Sequence, residues 1–376
     1  MEKIEQRNRN RDAILRALHF EGPLQRSELS ARLRIRKSSV TSIAAELLRA
    51  GLVAAHQPGR PRSPLRLEPG RHPVTVARHA RHAIHVATVG LDGTIRDERI
   101  LPLKGGTRPD RVIDLLARAI GPGGLGAGVA LPGLIDPVDG TVRYSAPFEG
   151  WRDVPLAAEL AHRLRRPVRV DNDVRCQLWA SAWFDRLLRE FENLLYVGIT
   201  DGVACALIVH GRRVLGGCHA AGEIGHVRAG AEGRRCACGK TDCLETYCSL
   251  PAILGEMRRR KPGAAAGSPA DLARRAADDP AFQDVLARAA TRLAQVIAPL
   301  MAAFDPDAVV LGSSVREVSE QLRQPLEQAL RVERVGIEPR CAILRVAEPE
   351  GVATLKGIAG LVIEDAFRTG SCIQRA

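Results

Sequence analysis

One histidine and three cysteines, His226, Cys236, Cys238 and Cys243, follow one another as His-x9-Cys-x-Cys-x4-Cys. This nitrogen and sulfur donor set can close a tetrahedral site around a structural Zn²⁺. Two of the cysteines are one residue apart among glycines and charged residues, a poor composition for a buried core. Glu223 and Glu245 flank the four donors, and a rigid metal knot would fix the direction of both carboxylates. The expectation is a metal-stiffened pocket for a small molecule rather than a finger that reads nucleic acid. Cys176, Cys205, Cys218, Cys248, Cys341 and Cys372 are scattered and read as free thiols of a reducing compartment. No signal-peptide pattern and no apolar run long enough to cross a bilayer is present, so a cytoplasmic chain with no membrane partner is expected.

The elements that would position this site occupy most of the 376 residues, enough for two or three domains. Net charge is +12, and its placement is uneven. Residues 1–80 hold 16 Lys/Arg against 7 Asp/Glu, a net of +9, which leaves +3 for the rest. A small basic segment on a nearly neutral body is the electrostatic pattern of a nucleic-acid module joined to something else.

The pattern inside that segment agrees. Ile14, Leu15 and Leu18 fall at helical spacing before Gly22-Pro23. A second helix is predicted over residues 26–33, burying Leu29 and Leu33 with Ser27 as its cap, and a third over 37–50. The third would bury Val40, Ile43, Leu47 and Leu48 and end at Gly51. Its other face opens with Arg36, Lys37, Ser38, Ser39, Thr41 and Ser42, side chains short or basic enough to reach base edges and phosphates. Two short strands around Gln57-Pro58-Gly59-Arg60-Pro61-Arg62-Ser63-Pro64 make a wing, with Arg60 and Arg62 placed for a minor groove. Residues 1–70 therefore read as a winged helix-turn-helix that binds double-stranded operator DNA.

Residues 71–81 read as a linker. Beyond them strand-type runs (82–89, 94–103, 126–131, 141–144, 167–170) alternate with helical ones (109–120, 155–164, 173–189). A second block holds strands at 194–200, 203–210 and 308–311, helices from 251 to 303, and a terminal helix near 353–366. Two strand-and-crossover blocks imply an α/β protein of two lobes, residues 82–190 completed by the terminal helix, and residues 191–352 with the cysteine stretch.

Four segments then carry a resemblance: Pro132-Gly133-Leu134-Ile135-Asp136, Val170-Asp171-Asn172-Asp173, the Gly222–Ser249 stretch, and Asp305-Pro306-Asp307-Ala308-Val309-Val310-Leu311-Gly312. In order and spacing the chain resembles the ROK family (repressors, open reading frames and sugar kinases) over about residues 82–366. The resemblance implies an actin-like (ribonuclease H-like) sugar-kinase fold with a hexose held between two lobes. It further implies that Asn172, Asp173, Glu223, His226 and Glu245 contact the sugar, with Asp173 as a vestigial general base. Such groups match the vicinal hydroxyls of a hexose, each a donor and an acceptor.

Against the family's kinases, the phosphate-binding parts depart. The Asp-x-Gly-Gly-Thr turn is replaced within Val76-Ala77-Arg78-His79-Ala80-Arg81-His82, and the second glycine-rich turn reads Thr200-Asp201-Gly202-Val203-Ala204-Cys205-Ala206. Ser313-Ser314 stand in place of glycines after Gly312. Phosphoryl transfer is nearly all positioning and charge neutralisation, so kinase activity is not expected. Phe148 falls where the kinases have a sugar-contacting Asn, with Glu149 as a substitute contact. Arg175 replaces another Asn, and is expected either to meet an acidic sugar or to bridge to a neighbouring lobe. The resulting expectation is a ROK-type transcriptional repressor, dimeric or tetrameric, released or retained on its operator by a sugar or sugar-phosphate effector. The alternatives are an active sugar kinase with an accessory DNA-binding domain and a sugar-independent adaptor tethered to DNA.

Overall fold

The computed structural model describes residues 2–60, 62–103, 108–261, 268–276, 278–333 and 343–370. Pro61, Cys341 and Cys372 lie outside them. The chain forms two compact units, Met1–Arg186 with Leu355–Ala376, and Leu187–Thr354.

The first unit begins with helices α1 (Glu2–Glu21), α2 (Arg26–Leu33) and α3 (Lys37–Arg49) and the antiparallel strands β1 (Val53–Ala55) and β2 (Leu65–Leu67). Ile14, Leu15, Leu29, Val40, Ile43, Leu47 and Leu52 are fully or almost fully buried and form the core of this head. Ala44 is buried with them, whereas Leu48, expected in the same stripe, is only half-buried. α2 is capped by Gln25 rather than Ser27, in a reciprocal capping box with Glu28. Gly51, at φ +69°, turns the chain out of α3 as expected. Leu24 bridges to Leu65, which adds a third short edge to the wing.

Next come β3 (Val74–His79), β4 (Ala83–Val89), β5 (Ile95–Pro102), α4 (Pro109–Ile120), β6 (Ala127–Leu131), β7 (Leu134–Ile135), β8 (Val142–Tyr144), β9 (Arg152–Val154), α5 (Leu156–Leu164), β10 (Val168–Asn172) and α6 (Asp173–Trp183). Residues 74–79 were expected to be linker and instead form β3, the centre of a five-stranded sheet ordered β10-β6-β3-β4-β5. The reason is legible once the pairing is known. Val74, Val76 and Ala77 are fully buried, and β3 lies parallel to β6 and antiparallel to β4. The basic and histidine residues that disguised the strand sit at its end, Arg78 and His79.

The second unit carries β11 (Leu194–Ile199), β12 (Val203–Val209), β13 (Arg212–Arg213), α7 (Glu245–Cys248), α8 (Leu250–Arg260), α9 (Pro269–Ala276), α10 (Pro280–Phe304), β14 (Ala308–Ser313), α11 (Arg316–Glu333) and β15 (Ile343–Val346). Its five strands are ordered β13-β12-β11-β14-β15, with β11, β14 and β15 parallel. α10 is long and apolar enough to cross a membrane by length and composition alone, but slightly over half of its most apolar stretch is buried in the protein. Phe282, Leu286, Leu293 and Ile297 tie it to the core of this unit. The terminal helix α12 (Glu350–Thr369) returns most of its length to the first unit.

Candidate functional site

The Gly222-Glu223-Ile224-Gly225-His226 stretch is laid against β12. Its two glycines are where the backbones touch. A Cβ on Gly222 would stand 1.9 Å from the Cys205 carbonyl oxygen, and one on Gly225 would stand 2.1 Å from that of Val203. The Cys205 amide donates to the Gly222 carbonyl at 2.8 Å, and Gly222 has φ +106°. Only glycine meets both demands. The close approach turns the stretch into a short 3₁₀ turn ending at His226.

That turn delivers His226 to the three cysteines. His226 Nδ1 lies 3.7 Å from Cys236 Sγ, and Cys238 Sγ lies 3.7 Å from Cys243 Sγ. The four donor atoms all fall within 4.8 Å of one another. A tetrahedron with metal–sulfur bonds of about 2.3 Å has edges of about 3.8 Å, so the set is already near the size a metal requires. His226, Cys236, Cys238 and Cys243 could therefore hold a metal ion. Lys240 Nζ donates to the His226 carbonyl at 2.9 Å and closes the hairpin over it. Nδ1 faces the sulfurs, so the imidazole can serve the knot through one nitrogen and keep Nε2 for another partner.

Glu245 begins α7, two residues after Cys243, and lies close to Gly202, where a Cβ would come within 2.7 Å of its Oε2. Burial pushes its carboxyl above the usual carboxylate range. His226 and a hydrogen bond from the Val203 backbone oppose that rise, and Glu223 adds to it. Glu245 thus lies near enough to His226 and Glu223 for both to act on it. Glu223 is exposed, and Glu245 is half-buried. Glu245 also lines a cavity of about 670 Å³ together with Asp201, Arg234, Arg235 and Arg259. A larger groove of about 760 Å³, between the Val227–Glu232 segment and α10, contains none of the five expected sugar residues.

In the first unit, Asn172 caps α6. Its Oδ1 accepts from the Arg175 amide at 3.1 Å, and its Nδ2 donates to the Gly133 carbonyl at 3.0 Å. One amide hydrogen and one lone pair remain for a ligand. Asp173 is the first helical residue and accepts from the Val174 amide at 2.9 Å. The helix amino terminus favours its negative form. These residues stand at the carboxyl end of β10, beside the Gly133 turn that follows β6, and open α/β sheets bind ligands at such ends.

Of the two substituted positions, Arg175 takes an internal role in place of the ligand or inter-lobe role expected, and Phe148 joins the core. Arg175 Nε donates to Asp171 Oδ1 at 2.7 Å, and its NH2 donates to the Ile135 carbonyl at 2.8 Å. Both side chains are buried, so the arginine locks α6 to β7 and is not placed to meet an effector. Phe148 is buried against His79, ring centroids 3.8 Å apart, and contributes to the core. Glu149 beside it is exposed. His79 itself is 1 % exposed, with neither ring nitrogen hydrogen-bonded, and burial lowers its pKa to about 3.

On the head, Arg36, Lys37, Ser38 and Thr41 are exposed at the start of α3, and Arg60 and Arg62 are exposed on the wing. Two of the expected contacts are diverted. Ser39 is half-buried, and Ser42 Oγ accepts from Arg7 of α1 at 3.3 Å, an arginine that also pairs with Glu46. Sequence reasoning missed this α1–α3 clamp, whose signal is the basic run Arg7, Arg9, Arg11 on α1.

Comparison with known proteins decides the family. The model of the ROK family matches residues 81–365. The chain belongs to the ROK family. A MarR family model matches residues 13–62, placing a MarR-type winged helix before the ROK body. Over 95 % of this chain and 96 % of its own length, a putative xylose repressor from Caldicellulosiruptor sp. (strain Rt8B.4) is 24 % identical. The DNA-binding transcriptional repressor Mlc of Escherichia coli (strain K12) is 25 % identical over 97 % of this chain and 95 % of its own. Glucokinase of Thermotoga maritima is 28 % identical but covers 65 % of this chain. Among solved structures, a ROK family transcriptional regulator homologous to the E. coli MLC protein superposes with a TM-score of 0.84 at 22 % identity, covering 98 % of this chain and all of its own. A ROK glucokinase from Streptomyces griseus reaches 0.66 and covers 77 % of this chain and 98 % of its own.

Proposed function

We propose that this ROK protein is a DNA-binding transcriptional repressor whose operator affinity is modulated by a sugar. The observation that carries the reading is the union of head and body in one chain. The relatives that cover 95 % or more of this chain are named as repressors, and the glucokinase match leaves about a third of the chain uncovered. Arg36, Lys37, Ser38 and Thr41 enter a major groove, Arg60 and Arg62 reach a minor groove, and a homodimer presents two heads to a palindromic operator. Asn172, Asp173, Glu223, His226 and Glu245 contribute to sugar binding. Zn²⁺ in the His226–Cys236–Cys238–Cys243 knot is structural: it holds His226 and, through Cys243, the start of α7 with Glu245.

Lack of phosphotransfer belongs to the same reading. Where the family's kinases need an acid to hold Mg²⁺ and glycines to admit phosphate, β3 ends in Arg78 and a buried His79. The kinase alternative draws support from the 28 % identity to glucokinase. Incubating the full chain with ATP, Mg²⁺ and a panel of hexoses and amino sugars separates the two. The repressor reading expects no sugar-dependent ADP, and genomic fragments retained by the protein and released by one sugar. Steady sugar-dependent ADP formation would replace it with the kinase reading.

A further inference from the structure

Every residue of α6 from Val174 to Trp183 is buried. The helix starts at the Asn172–Asp173 pair, and its last residue is the surface on which the head rests. The His19 ring of α1 stacks on Trp183 at 4.5 Å and 24°, and its Nε2 lies 3.0 Å from the Trp183 carbonyl oxygen. Phe20 meets the same indole edge-on at 5.2 Å. The Arg16 guanidinium lies over it at 5.3 Å and pairs with Glu364 of α12 at 2.7 Å. Phe367 of α12 completes the seat, 6.3 Å from Trp183.

The α12 backbone lies directly on α6, against backbone at Gly357 and against a ring at Gly360. A Cβ on Gly357 would stand 1.7 Å from the Cys176 carbonyl oxygen, and one on Gly360 would stand 3.1 Å from the Trp179 ring. Side-chain layers absorb small displacements by changing rotamers, and a glycine contact has no such layer, so the pair moves together. At the far end of α1, Arg7 and Arg11 pair with Glu46 of α3. Contacts therefore run without a break from Asn172 along α6 to Trp183, across the rings to α1, and through Glu46 to α3, which begins at Lys37 directly after Arg36.

We infer that α6, backed by α12, is a strut that couples the Asn172–Asp173 end to the seating of α1 on Trp183, so that a change at one end alters how firmly the head is held at the other. The strut spans about 16 Å, 11 residues at about 1.5 Å each. Packed seats of this kind switch between discrete arrangements rather than bending smoothly. The inference rests on the sugar-sensing reading only in taking Asn172 and Asp173 as ligand-facing; the mechanical coupling stands or falls separately.

Hydrogen exchange on the full chain tests it. Asn172→Ala removes the cap of α6, and is expected to speed exchange of the Leu15–Phe20 amides in α1 by about threefold or more. In a Trp183→Leu or His19→Ala background the α1 amides exchange faster from the outset, and adding Asn172→Ala leaves them unchanged, while β6 responds as it does to Asn172→Ala alone. His19→Ala removes only the head-side ring and serves if Trp183→Leu does not fold. No response of α1 to Asn172→Ala, or the same increment with and without the seat, overturns the strut. D-xylose and D-glucose are the ligand probes. A sugar that binds and changes α1 exchange only when the seat is intact supports the strut, and one that binds and leaves α1 unchanged contradicts it. Binding of neither would count against the sugar reading, and the Asn172→Ala comparison would still decide the strut.

Discussion

The imidazole of His19 lies flat on the indole of Trp183, held by a 3.0 Å contact to that residue's own carbonyl. Burial lowers the His19 pKa from 6.5 to about 4, with the hydrogen bond opposing and Arg186 and Arg16 assisting. The unfolded chain therefore binds this proton more readily than the folded one. Stability should be full above about pH 6.5 and decline as pH falls toward about 4, by roughly 3 kcal/mol at the end of that window. His79, lowered to about 3 by burial, adds a decline of the same sign that continues to lower pH. Urea titrations at pH 7.5 and 5.0 should show the loss, and His19→Phe should flatten part of it. An unchanged pH dependence in that variant would place His19 outside the account.

Replacing Cys238 by Ser removes one of the four side chains that could hold a metal ion. Metal affinity, read from a chelator competition on the purified chain, should drop by about an order of magnitude or more. Residues near the knot, Glu245 among them, should gain mobility while the head keeps its salt-sensitive attraction to duplex DNA. Unchanged metal affinity in the serine variant would contradict the four-ligand assignment.

Glycine substitutions offer a paired comparison within one unit. Gly225→Ala drives a Cβ into the Val203 carbonyl, whereas Gly255→Ala in α8 meets nothing within 4 Å. The first should cost about 2–3 kcal/mol through forced separation of the turn from β12. The second should stabilise by up to about 1 kcal/mol, because alanine is the better helix former. Equal effects in denaturant titrations would mean that the turn is not pressed onto the strand.

Arg175 and Asp171 are both buried and directly paired. Arg175→Met removes this partner, but Asp171 keeps Arg169 at 3.6 Å and the Asn172 amide at 2.8 Å, so the loss should be about 3 kcal/mol or less, at the low end for a broken buried pair. The double variant with Asp171→Asn should recover much of that loss, a coupling readable from a double-mutant cycle. Additive losses would argue against the pair.

Much of this architecture was legible in the residues. Helix periodicity over 109–120 matches α4, and the spacing of Leu29, Val40, Ile43 and Leu47 anticipates the head's core. The donor spacing around His226 anticipates a cluster of metal-ligand size. What escaped reading was set by contacts distant in sequence. β3 looked like linker because Arg78, His79 and Arg81 mask a strand whose partners, β4 and β6, supply its burial. Arg175 looked like a ligand or bridging group, and only the position of the Ile135 carbonyl, 40 residues away, gives it an internal role. Ser42 looked free for DNA until Arg7, 35 residues earlier, proved to donate to its hydroxyl.

The central claim is tested most directly by fluorescence anisotropy on a genomic fragment recovered with the full chain, titrated at 50 to 200 mM salt. The account predicts affinity that falls by about tenfold or more across that range, and a log–log salt slope shallower by about one for each of Lys37→Ala and Arg60→Ala. Binding that ignores salt, or that both alanine variants leave intact, would contradict a groove-reading head.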